Sequence, residues 1–183
     1  MVNIRLAQPA DDAAIWEIFH AVIQTGDTYV YPSDTPSEAL ADLWLSPTMQ
    51  TYLAEDGAQS EDDAEGEDVE RNKAETRILG TYILKPNYPG RGSHVANASY
   101  MVHPAAQGLG IGTIMANHSR VEARRLGYKA MQFNLVVSTN TAAIHLWQKS
   151  GFHIIGTLPK AFKHQQLGYV DAYIMYQSLE DGD

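Results

Sequence analysis

Between Met101 and Thr113 the chain passes from a strand pattern to a helix pattern through Gly108, Gly110 and Gly112. Upstream, residues 94–102 (HVANASYMV) suit a β-strand. Downstream, Ile111, Ile114, Met115, Val121 and Leu126 recur at helical spacing until Gly127 stops the pattern. Glycines at such a junction let the backbone curl and turn successive N–H groups toward one point. The positive end of the helix dipole faces the same way, so the segment predicts an anion site. Two familiar glycine loops fail here: a Walker loop needs Gly-Lys-Ser/Thr at its end, and a dinucleotide fingerprint needs glycine where Thr113 stands. A plain strand-to-helix turn would use the same glycines, so these residues alone leave both readings open.

The rest of the chain supplies the elements around this unit. Residues 2–7 alternate as a first strand, and Pro9 to Asp12 introduce a helix carrying Ile15, Ile18, Phe19, Val22 and Ile23 on one face to about Thr25. Gly26 to Asp34 has no periodicity and reads as a loop. Thr35, Pro36 and Glu38 have the spacing of a capping box, which predicts a helix over 36–46. Residues 49–55 and 78–85 read as two strands, 130–137 as a central strand, Thr141–Lys149 as a helix ended by Gly151, and 152–157 and 169–178 as closing strands. With 183 residues, one domain over 1–183 is expected: α+β, with a mixed and mostly antiparallel sheet flanked by helices.

Composition narrows the chemistry. Cysteine is absent, which removes disulfides, thiolate zinc sites and a cysteine nucleophile. No two histidines stand at helical ligand spacing beside an acid, so no metal is expected. Residues 55–75 hold ten acids against Arg71 and Lys73, so nearly all of the net charge of −9 lies in this tract. A nearly neutral remainder lacks the basic stripe that nucleic acid requires. The tract has too few large apolar residues to offset its ordering entropy, and reads as an acidic hairpin insertion between two strands. No stretch of about 18 apolar residues occurs and the first residues lack a signal-peptide core, so no membrane contact and a cytoplasmic location are expected.

Gln107-x-x-Gly110-x-Gly112 resembles the pyrophosphate-binding motif of the GNAT superfamily of N-acetyltransferases. The segment from Asn140 to Gly151-Phe152, an Asn opening a helix that ends in Gly-Phe, resembles that superfamily's second signature. The element order over residues 3–178 is similar too, with the acidic tract as the main departure. The resemblance implies acetyl-CoA as co-substrate, with the backbone at Met101 and Val102 meeting the pantetheine arm. Gln107 belongs to the motif, and the amides of Gly108, Leu109, Gly110, Ile111, Gly112 and Thr113 would hold the pyrophosphate. Asn140 would contact the pantetheine or the leaving sulfur, and it would also serve as a helix N-cap. Many relatives carry a Tyr general acid where this chain has Trp147, which is expected to pack on or flank the cofactor.

The oxyanion donor implied by the resemblance is a backbone N–H of the strand 94–102. A thiol with a pKa of about 8.5 leaves as thiolate near neutrality at modest cost, so losing the acid need not abolish transfer. For the base, His94, His103 and Asp171 are candidates, each of which reads equally as an ordinary structural residue. Asn97 and Asn134 are amides inside otherwise apolar strands, either satisfied by neighbouring backbone or turned toward a cleft where they orient the amine. The expected acceptor is a small-molecule amine, an amino acid or its analogue. A protein N-terminus or lysine, and a non-catalytic acyl-CoA-binding regulator, are the alternatives, and a homodimer is left open.

Overall fold

In the computed structural model, residues 1–57 and 77–180 are described. They form one seven-stranded sheet with helices on both faces. The order of elements is β1 (Val2–Leu6), α1 (Asp12–Ile23), α2 (Leu40–Leu43), β2 (Gln50–Asp56), β3 (Ile78–Pro86), β4 (Val95–Val102), α3 (Ile111–Arg125), β5 (Ala130–Val137), α4 (Thr141–Lys149), β6 (His153–His164) and β7 (Gly168–Ser178). Across the sheet the strands run β1-β2-β3-β4-β5-β7-β6. Every neighbouring pair is antiparallel except β4–β5, because α3 carries the chain across and returns it in the same direction. The α+β expectation and the mixed sheet are met. The acidic hairpin insertion lies largely outside the described residues; β2 and β3, which it joins, pair antiparallel.

Alternation along β2 and β3 builds two cores. Tyr52, Tyr82 and Leu84 face α3 and α4, in a cluster with Met115, Phe133, Trp147 and Phe152. Leu53 and Ile83 face the other way, onto Ile15, Phe19, Leu40 and Trp44 of the α1–α2 layer, and Met101 of β4 joins them. Burial on both faces removes the polar alternation of a half-exposed sheet, which is why β3 reads as a largely apolar run.

Two elements differ from their sequence reading. The helix expected over 36–46 is a 3-10 turn, Ser37–Ala39, followed by the four residues of α2. Pro36 sits extended before it, and the Thr35 hydroxyl donates to the Pro32 carbonyl at 2.6 Å instead of capping. Trp44 ends the helix because its side chain is drawn fully into the core, where Nε1 donates to Thr81 Oγ1 at 3.0 Å. β6 is longer than expected, continuing through two register shifts against β7, with Lys160 at φ 51 in the second. The Asp171 carboxylate accepts the Lys160 N–H at 2.9 Å and supports that irregularity. Among the described residues no helix is long and apolar enough to cross a membrane.

Candidate active site

β4 meets β3 through seven consecutive residue pairs, Gly80↔Val102 to Pro86↔Ala96, but meets β5 only at Val95↔Ala130 and Ala96↔Met131. The orientation of each residue follows from two hydrogen bonds. His103 N–H donates to Leu79 on β3, and the His94 carbonyl accepts from Lys129, just before β5, both at 2.8 Å. Strand alternation then turns the N–H and C=O of Ala98, Tyr100 and Val102 toward β5, which has already diverged.

The divergence has local causes. Asn97, 9% exposed, sends its Nδ2 across to the Gln132 carbonyl at 2.9 Å and caps a group that continued pairing would have used. One step on, β5 shifts register against β7 between Phe133 and Val136, leaving Asn134 and Leu135 in a bulge that bends the strand. The resulting cavity, about 1010 Å³, is walled by β4, β5, the glycine turn, the start of α4 and the loop after α1. Its volume suits a large ligand with an extended arm.

At one end lies the glycine turn. Gly108 and Gly110 adopt φ of 80° and 77°, and a Cβ at either would meet no protein atom within 4 Å. They are glycine because of backbone conformation, and the space before them is open. Within the expected amide series, Leu109 N–H lies 3.4 Å from the Ala106 carbonyl and Thr113 N–H 3.0 Å from that of Gly110, so these two have backbone acceptors in the protein itself. The amides of Gly108, Gly110, Ile111 and Gly112 find no backbone acceptor among the described residues. Four free N–H groups at the N-terminus of α3 fit a pyrophosphate. Gln107 lines the cavity beside them, whereas the Leu109 side chain is 60% exposed and stands outside.

Met101 and Val102 both line the cavity, but Met101 turns its carbonyl toward Gly80 on β3 and buries its side chain in the α1 layer. The backbone edge left without a strand partner therefore belongs to Tyr100 and Val102. Asn140 lines the cavity as the N-cap of α4, its Oδ1 accepting from Ala143 N–H at 3.1 Å. Trp147 is 7% exposed and lies 4.7 Å from the Tyr100 ring and 4.6 Å from the Phe133 ring, centroid to centroid. It packs the cavity floor. Asn134 lines the wall in a chain of amides, accepting from Gln132 Nε2 at 2.8 Å and donating to Asn87 Oδ1 at 2.7 Å.

His94, His103 and Asp171 do not line the cavity. His94 Nδ1 lies 3.1 Å from the Arg91 carbonyl, and His103 Nδ1 accepts from Ala105 N–H at 3.1 Å. Residues that sequence reading passed over do line it: Asp27, Tyr29, Tyr31 and His164. The only sequence signal for Tyr29 and Tyr31 was a pair of aromatics in an aperiodic loop. His164 Nδ1 accepts from Gln166 and Leu167 N–H at 3.1 and 3.3 Å, so Nε2 carries the proton of the neutral ring. The Tyr29 hydroxyl bonds the Tyr100 backbone, accepting from N–H at 2.9 Å and donating to C=O at 2.7 Å. Burial pushes both the Tyr29 and Tyr100 phenols up, so they stay neutral at physiological pH.

The model of the Acetyltransferase (GNAT) family matches residues 28–152. N-acetyltransferase aca1 of Schizosaccharomyces pombe is 43% identical over 112 residues, covering 58% of this chain and 53% of that protein. The match therefore spans about half the length of that relative. A GCN5-related N-acetyltransferase structure from Kribbella flavida is 37% identical, covers 97% of each chain and superposes with a TM-score of 0.83. A phosphinothricin acetyltransferase from Sinorhizobium meliloti, in complex with acetyl-CoA, shares the fold at 20% identity and a TM-score of 0.79, over 99% of this chain and 90% of that one. With its divergent β4–β5 pair, its free-amide glycine turn and the family model across most of its length, this chain belongs to the GNAT acetyltransferase family.

Proposed function

We propose that this protein transfers the acetyl group of acetyl-CoA to the amine of a small molecule, an amino acid or amino-acid analogue. The observation that carries this reading is the convergence of two backbone surfaces on one cavity: the free amides of the glycine turn and the β4 edge at Tyr100 and Val102, which no strand covers. Acetyl-CoA supplies a thioester activated toward amines. The amides of Gly108, Gly110, Ile111 and Gly112 hold the pyrophosphate, and the Val102 edge meets the pantetheine arm. Tyr100 N–H is the donor offered to the acyl oxygen, where negative charge develops. Trp147 packs beneath the arm and donates no proton to sulfur, because an indole N–H is not an acid in this range.

Asn97 and Asn134 orient the acceptor from opposite walls. Neutral amides accept from an amine and donate to a carboxylate without raising the amine's pKa as an acid would. Asp27 already accepts from the Thr25 hydroxyl, and His164 Nδ1 is committed to two backbone donors. The Thr25 bond leaves Asp27 with a second carboxylate oxygen, so the amine's proton leaves to Asp27 or to water in the cavity. An amine acceptor agrees with the phosphinothricin acetyltransferase that shares the fold.

Thiol release from acetyl-CoA, measured over a panel of amines, amino acids and peptides, tests the reading. Amino acids or their analogues are expected to give the highest kcat/KM. On the best acceptor, Asn97→Ala and Asn134→Ala are each expected to lower kcat/KM by about tenfold while leaving acetyl-CoA affinity nearly intact. Folded variants that acetylate that acceptor at near wild-type efficiency would remove both residues from the assignment.

A further inference from the structure

The loop after α1 puts a hydroxyl on the open edge of β4. Tyr29 Oη accepts from Tyr100 N–H at 2.9 Å and donates to Tyr100 C=O at 2.7 Å. These are groups that β5 leaves behind where it diverges, and a backbone donor or acceptor withdrawn from water needs a partner. The phenol thus does for residue 100 what a neighbouring strand would do. Its placement is well supported: the ring stacks on Tyr31 at 5.9 Å and meets Trp44 edge-on at 6.2 Å. The loop itself is tied to the β6–β7 turn by Gln165 N–H donating to the Gly26 carbonyl at 3.0 Å.

A phenol both donates and accepts, whereas a thioester carbonyl oxygen only accepts. If Tyr100 N–H is to polarise an acyl oxygen, the two oxygens claim the same hydrogen and the same volume along the N–H direction. One must leave. We propose that Tyr29 Oη holds the acyl-oxygen position in the protein without acyl-CoA, and exchanges with the thioester carbonyl on binding, so that Tyr29 discriminates between acyl-CoA and free CoA. The inference rests on the acetyl-CoA reading above. Free CoA has a thiol in place of the thioester and makes no claim on Tyr100 N–H, so it leaves the Tyr29 contact in place.

Burial favours the neutral phenol, so the exchange moves a hydroxyl and not a phenolate. Acyl-CoA replaces the bond to N–H but not the bond to C=O. Tyr29 therefore weakens acyl-CoA binding relative to CoA by roughly the three- to tenfold that one neutral hydrogen bond is worth. In return it keeps the β4 edge satisfied without a strand, through a contact that a ligand can exchange. Tyr29 is accordingly a positioning residue, acting through the Tyr100 backbone.

Tyr29→Phe removes the hydroxyl and keeps the aromatic stack. By calorimetry, the acetyl-CoA Kd of this variant is expected to fall about three- to tenfold while the CoA Kd stays within about twofold. Without ligand, the Tyr100 amide is expected to exchange with deuterium about tenfold faster than in the wild type, a readout independent of activity and of cofactor. Unchanged Kd values for both ligands, or equal shifts in both, overturn the proposal. So does a fall in turnover with an unchanged acetyl-CoA Kd, which would make Tyr29 a donor that stays in place. If the wild type binds neither ligand, the acetyl-CoA reading fails with the exchange, and the Tyr100 amide rate then reports on the Tyr29 contact alone.

Discussion

Along its β3 side β4 is paired residue by residue from Val102 back to Ala96, whereas along its β5 side pairing ends at Ala96. One short sequence thus presents two edges with different work. On the β3 side backbone groups satisfy one another, and Tyr52, Tyr82 and Tyr100 stack in register above them, with ring centroids 4.8 and 5.4 Å apart. On the β5 side the same kinds of backbone group are served by side chains, Asn97 toward Gln132 and Tyr29 toward Tyr100. Strand-to-strand bonds are cooperative and stabilise the fold. Side-chain partners can be exchanged one at a time, which leaves an edge able to take a ligand.

The largest expected effect tests the open side. Gly110→Val places a β-branched residue at a φ of 77° and a side chain in front of the free amides. The acetyl-CoA Kd should rise by about thirtyfold or more, the worth of one or two charge-assisted hydrogen bonds. A folded variant whose calorimetric affinity matches the wild type would move the pyrophosphate elsewhere.

The paired side should respond in stability instead. At Gly80→Ala the new Cβ would stand 2.9 Å from the Met101 carbonyl oxygen and 3.0 Å from Met115 Cε. Overpacking of this kind costs about 1–2 kcal/mol. Urea unfolding should show that loss, with the acetyl-CoA Kd unchanged. Lower affinity at full stability would reverse the roles given to the two edges.

Asn140 caps α4 and lines the cavity, where the resemblance implies a contact with the cofactor. Asn140→Ala should cost about 1 kcal/mol through loss of the α4 cap, and should weaken acetyl-CoA binding through loss of the Nδ2 donor. Asn140→Asp keeps a capping oxygen and removes the Nδ2 donor, so it should regain stability without regaining acetyl-CoA affinity. Recovery of both would reduce Asn140 to a cap.

The smallest effect concerns pH and belongs to the paired side. Burial, then the hydrogen bond to Glu122, push the Tyr52 phenol up to about 12. A phenol whose folded pKa exceeds its unfolded value of about 10 contributes stability that is full below pH 10 and lost as pH rises through 12. Thermal melts between those limits should fall less steeply with pH in Tyr52→Phe than in the wild type. Equal slopes would show that Tyr52 does not carry the alkaline loss.

The sequence by itself determined the order and type of nearly every element, because period-two and helical patterns and glycine stops are local properties of consecutive residues. It determined the glycine turn and the α4 cap for the same reason: each needs particular residues within a few positions, Gly108 with Gly110 and Asn140 with Ala143. The short α2 was not legible, since its end depends on Trp44 reaching Thr81, 37 residues away. Only the tertiary structure decided which β4 edge stays open, because that follows from Asn97 meeting Gln132 across 35 residues and from a bulge at Asn134 defined by its pairing with β7. It alone placed Tyr29 on Tyr100, 71 residues away. Contacts at such separations arise from the packing of whole elements, and no local pattern in the chain encodes them.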